Sequence, residues 1–154
     1  MWTRLLLLGM LVCVLPGCTT PGPAALLRQA SISPELRRSA ELYVGYGLDH
    51  GWDMPGLPGL VSVRLVDYIQ GDKAGVCLRY PYLGTRYILV SRQGGAVSRR
   101  YIQEVLLHEM GHCVSNWPHS DDPASLMYGM ETEETGRRLP AYLLEKAGEE
   151  FGGG

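Results

Sequence analysis

His108, Glu109, Met110, Gly111 and His112 place two imidazoles and a carboxylate within five residues, and His119 follows soon after. The chain has only four histidines, and three of them fall between positions 108 and 119. On a helix, residues four apart share a face, so His108 and His112 point the same way about one turn apart. Two neutral ring nitrogens at that separation can reach a single Zn²⁺ at roughly 2.0–2.1 Å. Glu109, beside the first of the pair, is placed to take a proton from metal-bound water rather than to bind the metal. Two unrelated histidines on a solvated helix would also give this pattern. The residues around the motif argue against that reading.

The motif needs a helix, and the flanking sequence supplies one. Ser98 can cap its start, and Ile102, Val105, Leu106, Met110 and Cys113 form an apolar stripe along it. Glu104, His108 and His112 fall on an adjoining stripe that can face a cleft, and Pro118 stops the run. Upstream, Ser33 and Pro34 suit the cap and first turn of another helix. Leu36, Ala40, Tyr43 and Val44 recur at helical spacing to about Tyr46, where Gly45, Gly47 and the stretch from His50 to Gly56 predict a loop. His50, alone in that loop, reads as an exposed side chain rather than a ligand.

Alternation over Leu60–Ile69, with Val61, Val63, Leu65 and Ile69 on one side, predicts a strand, and Val76–Tyr80 and Arg86–Ser91 predict two more. Glu131–Glu134 reads as a solvated loop, and Leu139–Phe151 as a last helix with Pro140 in its first turn. The expected fold is α+β: a small mixed, mostly antiparallel sheet packed on two long helices.

The N-terminus has a different character. Met1–Arg4 is a short basic segment and Leu5–Leu15 an apolar run, too short for a membrane span and the right length for a signal peptide. It ends in Leu15-Pro16-Gly17-Cys18, which resembles the lipobox of bacterial lipoproteins, although Pro16 departs from the usual small residue. The resemblance implies removal of residues 1–17 and diacylation of Cys18, which would anchor the protein at the membrane surface of a bacterial cell envelope. Thr19 in place of aspartate then leans towards an outer membrane. Residues 18–33, with Pro21, Gly22 and Pro23, read as a flexible tether, leaving 34–154 as one domain with a single modest core.

A net charge of −2 and basic clusters no larger than a pair make nucleic acid a poor partner. Cys77 and Cys113 remain after processing. In a compartment that permits disulfides they either pair or stay as two buried thiols.

The histidine segment resembles the metzincin metalloproteases, and among them the matrixin-like group. The resemblance is carried by His108-Glu109-Met110-Gly111-His112 and by His119-Ser120-Asp121-Asp122-Pro123-Ala124-Ser125-Leu126-Met127-Tyr128, about twenty residues in all. It implies a metzincin-like zincin fold with one catalytic Zn²⁺ held by His108, His112 and His119, Glu109 as general base, and Met127 in a turn beneath the metal. It implies a protein or peptide substrate, bound extended along a sheet edge near Val76–Tyr80. The chain departs from the family at the helix exit, where the glycine position holds Ser115 and the third histidine comes one residue late. A single insertion accounts for both, with Asn116 taking the left-handed turn that glycine makes in the family.

Two other readings stay open. Glu131, nineteen residues after His112, has the spacing of a gluzincin-type third ligand. A non-catalytic zinc-binding envelope lipoprotein would need the ligands but no base at Glu109. The anchor can be tested by itself. Cys18→Ser should leave an unprocessed precursor or release the protein from the membrane fraction, because acyl chains contribute about 0.8 kcal/mol per buried methylene. Wild-type partitioning and gel mobility in that variant would refute the lipoprotein reading.

Overall fold

In the computed structural model, which describes residues 21–92, 98–128 and 140–151, Ser33 stands between a strand and a helix. Its amide donates to the Val63 carbonyl at 2.9 Å and its hydroxyl accepts from the Leu65 amide at 3.0 Å. The side chain expected to cap a helix therefore ties the helix start to the sheet. Beyond it, α2 (Pro34–Asp49) buries Leu36, Ala40, Tyr43 and Val44. This helix runs past the glycines expected to end it. Gly47 is buried and packs so closely on Met54 and Trp52 that a Cβ there would lie 2.9 Å from the Met54 sulfur. Glycine at that position permits close packing rather than breaking the helix.

The segment expected as a flexible tether is in part folded. A short helix α1 (Pro23–Leu26) and a strand β1 (Ser31–Ile32) precede α2. Leu27, Ala30 and Ile32 are buried in the common core. Apolar side chains spaced three and two apart were enough to join the core, although prolines flank them.

Three more strands complete the sheet: β2 (Leu60–Val66), β3 (Gly75–Tyr80) and β4 (Thr85–Ser91). The strand order is β1-β2-β4-β3, with β1–β2 and β2–β4 parallel and β3–β4 antiparallel. The sheet is mixed as expected, but two of its three pairings are parallel, which corrects the mostly antiparallel expectation. The reason is topological. The hairpin through Pro81–Gly84 reverses the chain once, and β4 then inserts beside β2 instead of adding to the outside. Local alternation carries no information about that order. A register shift between Leu60 and Ser62 also turns Val61 outwards while Val63 stays fully buried, so the two do not share a face.

Helix α3 (Arg99–Cys113) lies against β3, β4 and α2, and α4 (Pro140–Phe151) packs on α3 and α2. Ser98 caps α3 by accepting from the Tyr101 amide at 3.2 Å. A chain of rings joins these layers. Tyr43 of α2 meets Trp52, Trp52 meets Trp117 after α3, and Trp117 stacks on Phe151 of α4 with centroids 4.6 Å apart. Among the described residues, no helix is long and apolar enough to cross a membrane. The signal segment, Cys18 and Glu131 lie outside the described residues.

Cys77 of β3 and Cys113 of α3 form a disulfide, with Cα atoms 5.5 Å apart. It closes a loop with a sequence separation of 36 residues and ties the last strand of the sheet to the histidine helix. Constraining the unfolded chain over a loop of this size is worth roughly 2–4 kcal/mol. Replacing both cysteines with alanine should lower the unfolding free energy by about that amount in a urea titration. An unchanged midpoint would show that the strand is held by its other contacts alone.

Candidate metal centre

Helix α3 sets the spacing of His108 and His112, but two backbone carbonyls set the direction of their rings. His108 Nδ1 lies 2.8 Å from the Leu126 carbonyl, and His112 Nδ1 lies 2.8 Å from the Trp117 carbonyl. A carbonyl only accepts, so each Nδ1 is the donor, and each Nε2 of the neutral ring keeps its lone pair. Those two Nε2 atoms lie 3.1 Å apart. Two lone pairs at that distance repel unless a cation lies between them. Ligands at zinc–nitrogen distances in a tetrahedron are about 3.3 Å apart, so the pair is close to metal-ready.

His119 closes the group. One ring nitrogen from each of His108, His112 and His119 lies within 4.8 Å of the others, close enough to bind one metal ion. The chain reaches this point because Asn116 adopts a left-handed conformation, with φ 58°. Turning there, the backbone buries Trp117 in the ring cluster and presents both its carbonyl to His112 and, two residues on, the imidazole of His119. His50 stands apart from the group. It is exposed, stacked on Tyr46, with its Nδ1 2.8 Å from the Tyr46 carbonyl.

The end of α3 is held with few loose groups. The Gly111 carbonyl accepts from the Trp117 amide and the Val114 carbonyl from the Gly56 amide. Between them, the His112 carbonyl accepts from Arg79 at 2.6 Å, and the Cys113 carbonyl accepts from Arg86. Arg86 also reaches the Asn116 side-chain oxygen at 2.6 Å. Two cations thus meet the negative end of the helix dipole and fix the turn that follows.

Met127 is fully buried under this helix, its amide bonded to Ser125 Oγ. A Cβ on Gly111 would lie 2.3 Å from the Met127 sulfur, so any side chain at 111 would displace it. That glycine, set between the two helical histidines, lets the Leu126–Met127 segment come close enough for Leu126 to accept from His108.

Glu109 is buried and lines the same cleft, a cavity of about 580 Å³ walled by the histidines on one side and Ala74–Cys77 on the other. Its carboxylate presses on Gly75, where a Cβ would fall 2.8 Å from Oε1 and 2.6 Å from Val105 Cγ1. Gly75, Arg79 and Arg86 escaped notice in the sequence, where nothing marks them except a glycine opening a strand and arginines within strands. No protein-family model matches the chain, and no curated protein or solved structure matches it either.

Burial lowers the pKa of His108 to about 4, with nearby His112 and His119 adding to the effect against the raising influence of the Leu126 carbonyl. Burial likewise lowers that of His112, helped by His119 and Arg79. Both rings are therefore neutral and ligand-ready at neutral pH. An unfolded histidine titrates near 6.5, so protons favour the unfolded chain below that value. The metal-free protein should be fully stable above about pH 6.5 and lose stability as the pH falls towards 4, by at most about 3 kcal/mol from His108. Urea midpoints at pH 7 and 4.5 measure the loss, and His108→Gln should reduce it. A pH-independent difference between the two proteins would contradict the neutral-ring assignment.

Proposed function

We propose that this protein is a zinc-dependent endopeptidase of the metzincin, matrixin-like kind, with His108, His112 and His119 as metal ligands and Glu109 as general base. The observation that carries the reading is the pinned tautomer of His108 and His112, with His119 and a buried glutamate beside them in one cleft. Three imidazoles facing an open cleft match the donor set of a catalytic zinc site, which leaves a fourth position free. Zinc held there would act as a Lewis acid towards a peptide carbonyl and make water acidic enough to lose a proton near neutral pH. Glu109 would accept that proton and pass it to the leaving amine. Gly75 would keep the carboxylate pointed at the cleft by leaving it the space a side chain would fill.

The edge position of β3 supports an extended peptide substrate. Among the described residues the strand pairs with β4 on one side only, and its residues line the cleft on the other. A peptide adding antiparallel to β3 would gain main-chain hydrogen bonds there. Met127 would serve as the Met-turn residue, packed under the helix rather than coordinating. The proximity of His119 to the other two histidines supports it as third ligand. A cell-envelope location through lipidated Cys18 completes the proposal. Because the fold already begins at Pro23, only four residues would separate the anchor from it, spanning at most about 14 Å.

The purified protein should bind about one zinc per chain and cleave peptides from a mixed library. Glu109→Ala should keep the zinc and lose activity by a factor of about 10² or more, because only proton transfer is removed. His119→Ala should weaken zinc binding severely, and Glu131→Ala should leave it nearly unchanged. Activity equal in wild type and Glu109→Ala would refute the assigned base, and the reverse pattern of zinc affinities would favour the gluzincin arrangement. Zinc binding without cleavage of any peptide would favour a non-catalytic metal-binding protein.

A further inference from the structure

Beyond the cleft lies a second cavity of about 450 Å³, bounded by Arg79, Tyr80, Thr85, Arg86 and Asn116 among others. Arg79 lines both cavities, so the two adjoin at its side chain. Arg79 and Arg86 stand directly opposite each other in the β3–β4 register. Like charges in that relation destabilise an antiparallel pair. Burial and the neighbouring Arg79 both lower the pKa of the Arg86 guanidinium, as expected of two cations close together. Their contacts with the α3 carbonyls and Asn116 use Nη2 of Arg79 and Nη1 of Arg86, out of five N–H donors on each guanidinium. Among the described residues no carboxylate forms a salt bridge with either, and no acidic side chain lines this cavity.

We infer that this cavity is a specificity subsite for the carboxylate of an acidic side chain in the peptide substrate, bound by Arg79 and Arg86. The inference rests on the endopeptidase reading and names the substrate class for it. Its position along the strand gives a register. A peptide lying antiparallel to β3 passes the histidines near Gly75–Cys77 and reaches Arg79 with its amino-terminal portion. At about 3.3 Å per residue, the acidic side chain falls two to four residues before the scissile bond. A carboxylate between the two guanidiniums removes their mutual repulsion and uses donors that the helix end leaves free.

The test uses end-blocked peptides, so that only side chains carry charge, matched except for Glu, Gln or Lys stepped through each position around the scissile bond. With the zinc-loaded full chain, Glu at one position two to four residues before the bond should raise kcat/KM roughly tenfold over Gln, the size of a charge-assisted hydrogen bond. The advantage should shrink as salt rises. In Arg79→Glu the ratio should reverse in favour of Lys, and in Arg79→Gln it should fall towards one. Each ratio is taken within one protein, so a change in its overall activity cancels. Equal rates for Glu and Gln at every upstream position would overturn the proposal, as would a preference that survives both Arg79 variants. If no peptide is cleaved, the endopeptidase reading fails separately. Fluorescence anisotropy of the same labelled peptides then decides the subsite, with the tenfold preference for Glu, or its absence, read as affinity for the wild-type chain.

Discussion

Two hydrogen bonds, from His108 Nδ1 to the Leu126 carbonyl and from His112 Nδ1 to the Trp117 carbonyl, decide what the histidine cluster can do. They fix the tautomers, and through them leave two Nε2 lone pairs facing each other. Orientation by a carbonyl at the far nitrogen is how metal-binding imidazoles are commonly held. Here both carbonyls belong to the irregular chain after α3. The geometry of the centre is therefore only as good as the placement of residues 115–127.

That placement comes from the core. Trp117 is buried between Trp52 and Phe151, while Ser115 bonds to Tyr43 Oη at 2.8 Å, both hydroxyls being buried. Burial raises the Tyr43 phenol's pKa, so this is a bond between neutral groups. Met127 fills the space that Gly111 leaves open. Each anchor lies within a few residues of a carbonyl or an imidazole that the centre uses. Packing energy spent on the rings and the methionine thus also orients the histidines.

The opposite wall of the cleft is built differently. Among the described residues strand β3 has one neighbour in the sheet, and it is secured sideways by the disulfide to α3 and by Arg79 reaching the His112 carbonyl. Gly75 allows this strand to press against Glu109. An open edge held rigidly beside buried chemistry suits an extended ligand better than a compact one.

The parts of this protein legible in the sequence are those fixed by short-range spacing. His108 and His112 share a helix face because any helix puts residues four apart together, and Ser98 caps that helix as its type suggests. Asn116 could be named as the left-handed residue because few other side chains tolerate that conformation. Strand order, the parallel pairing of β4 with β2 and the folding of Leu27–Ile32 into the core were hidden, since each depends on which distant segment lies alongside. The same holds within the site. Glu109 and the histidines are adjacent in the chain, but Gly75, Arg79 and Arg86 join them across the sheet, where sequence distance carries no information. The pairing of Cys77 with Cys113 was open for that reason too, and the packing of β3 on α3 decided it. Residue types and local spacing determined the available chemistry; the tertiary structure alone decided which carbonyls, strand edge and cations surround it, because those contacts are made by packing between distant segments.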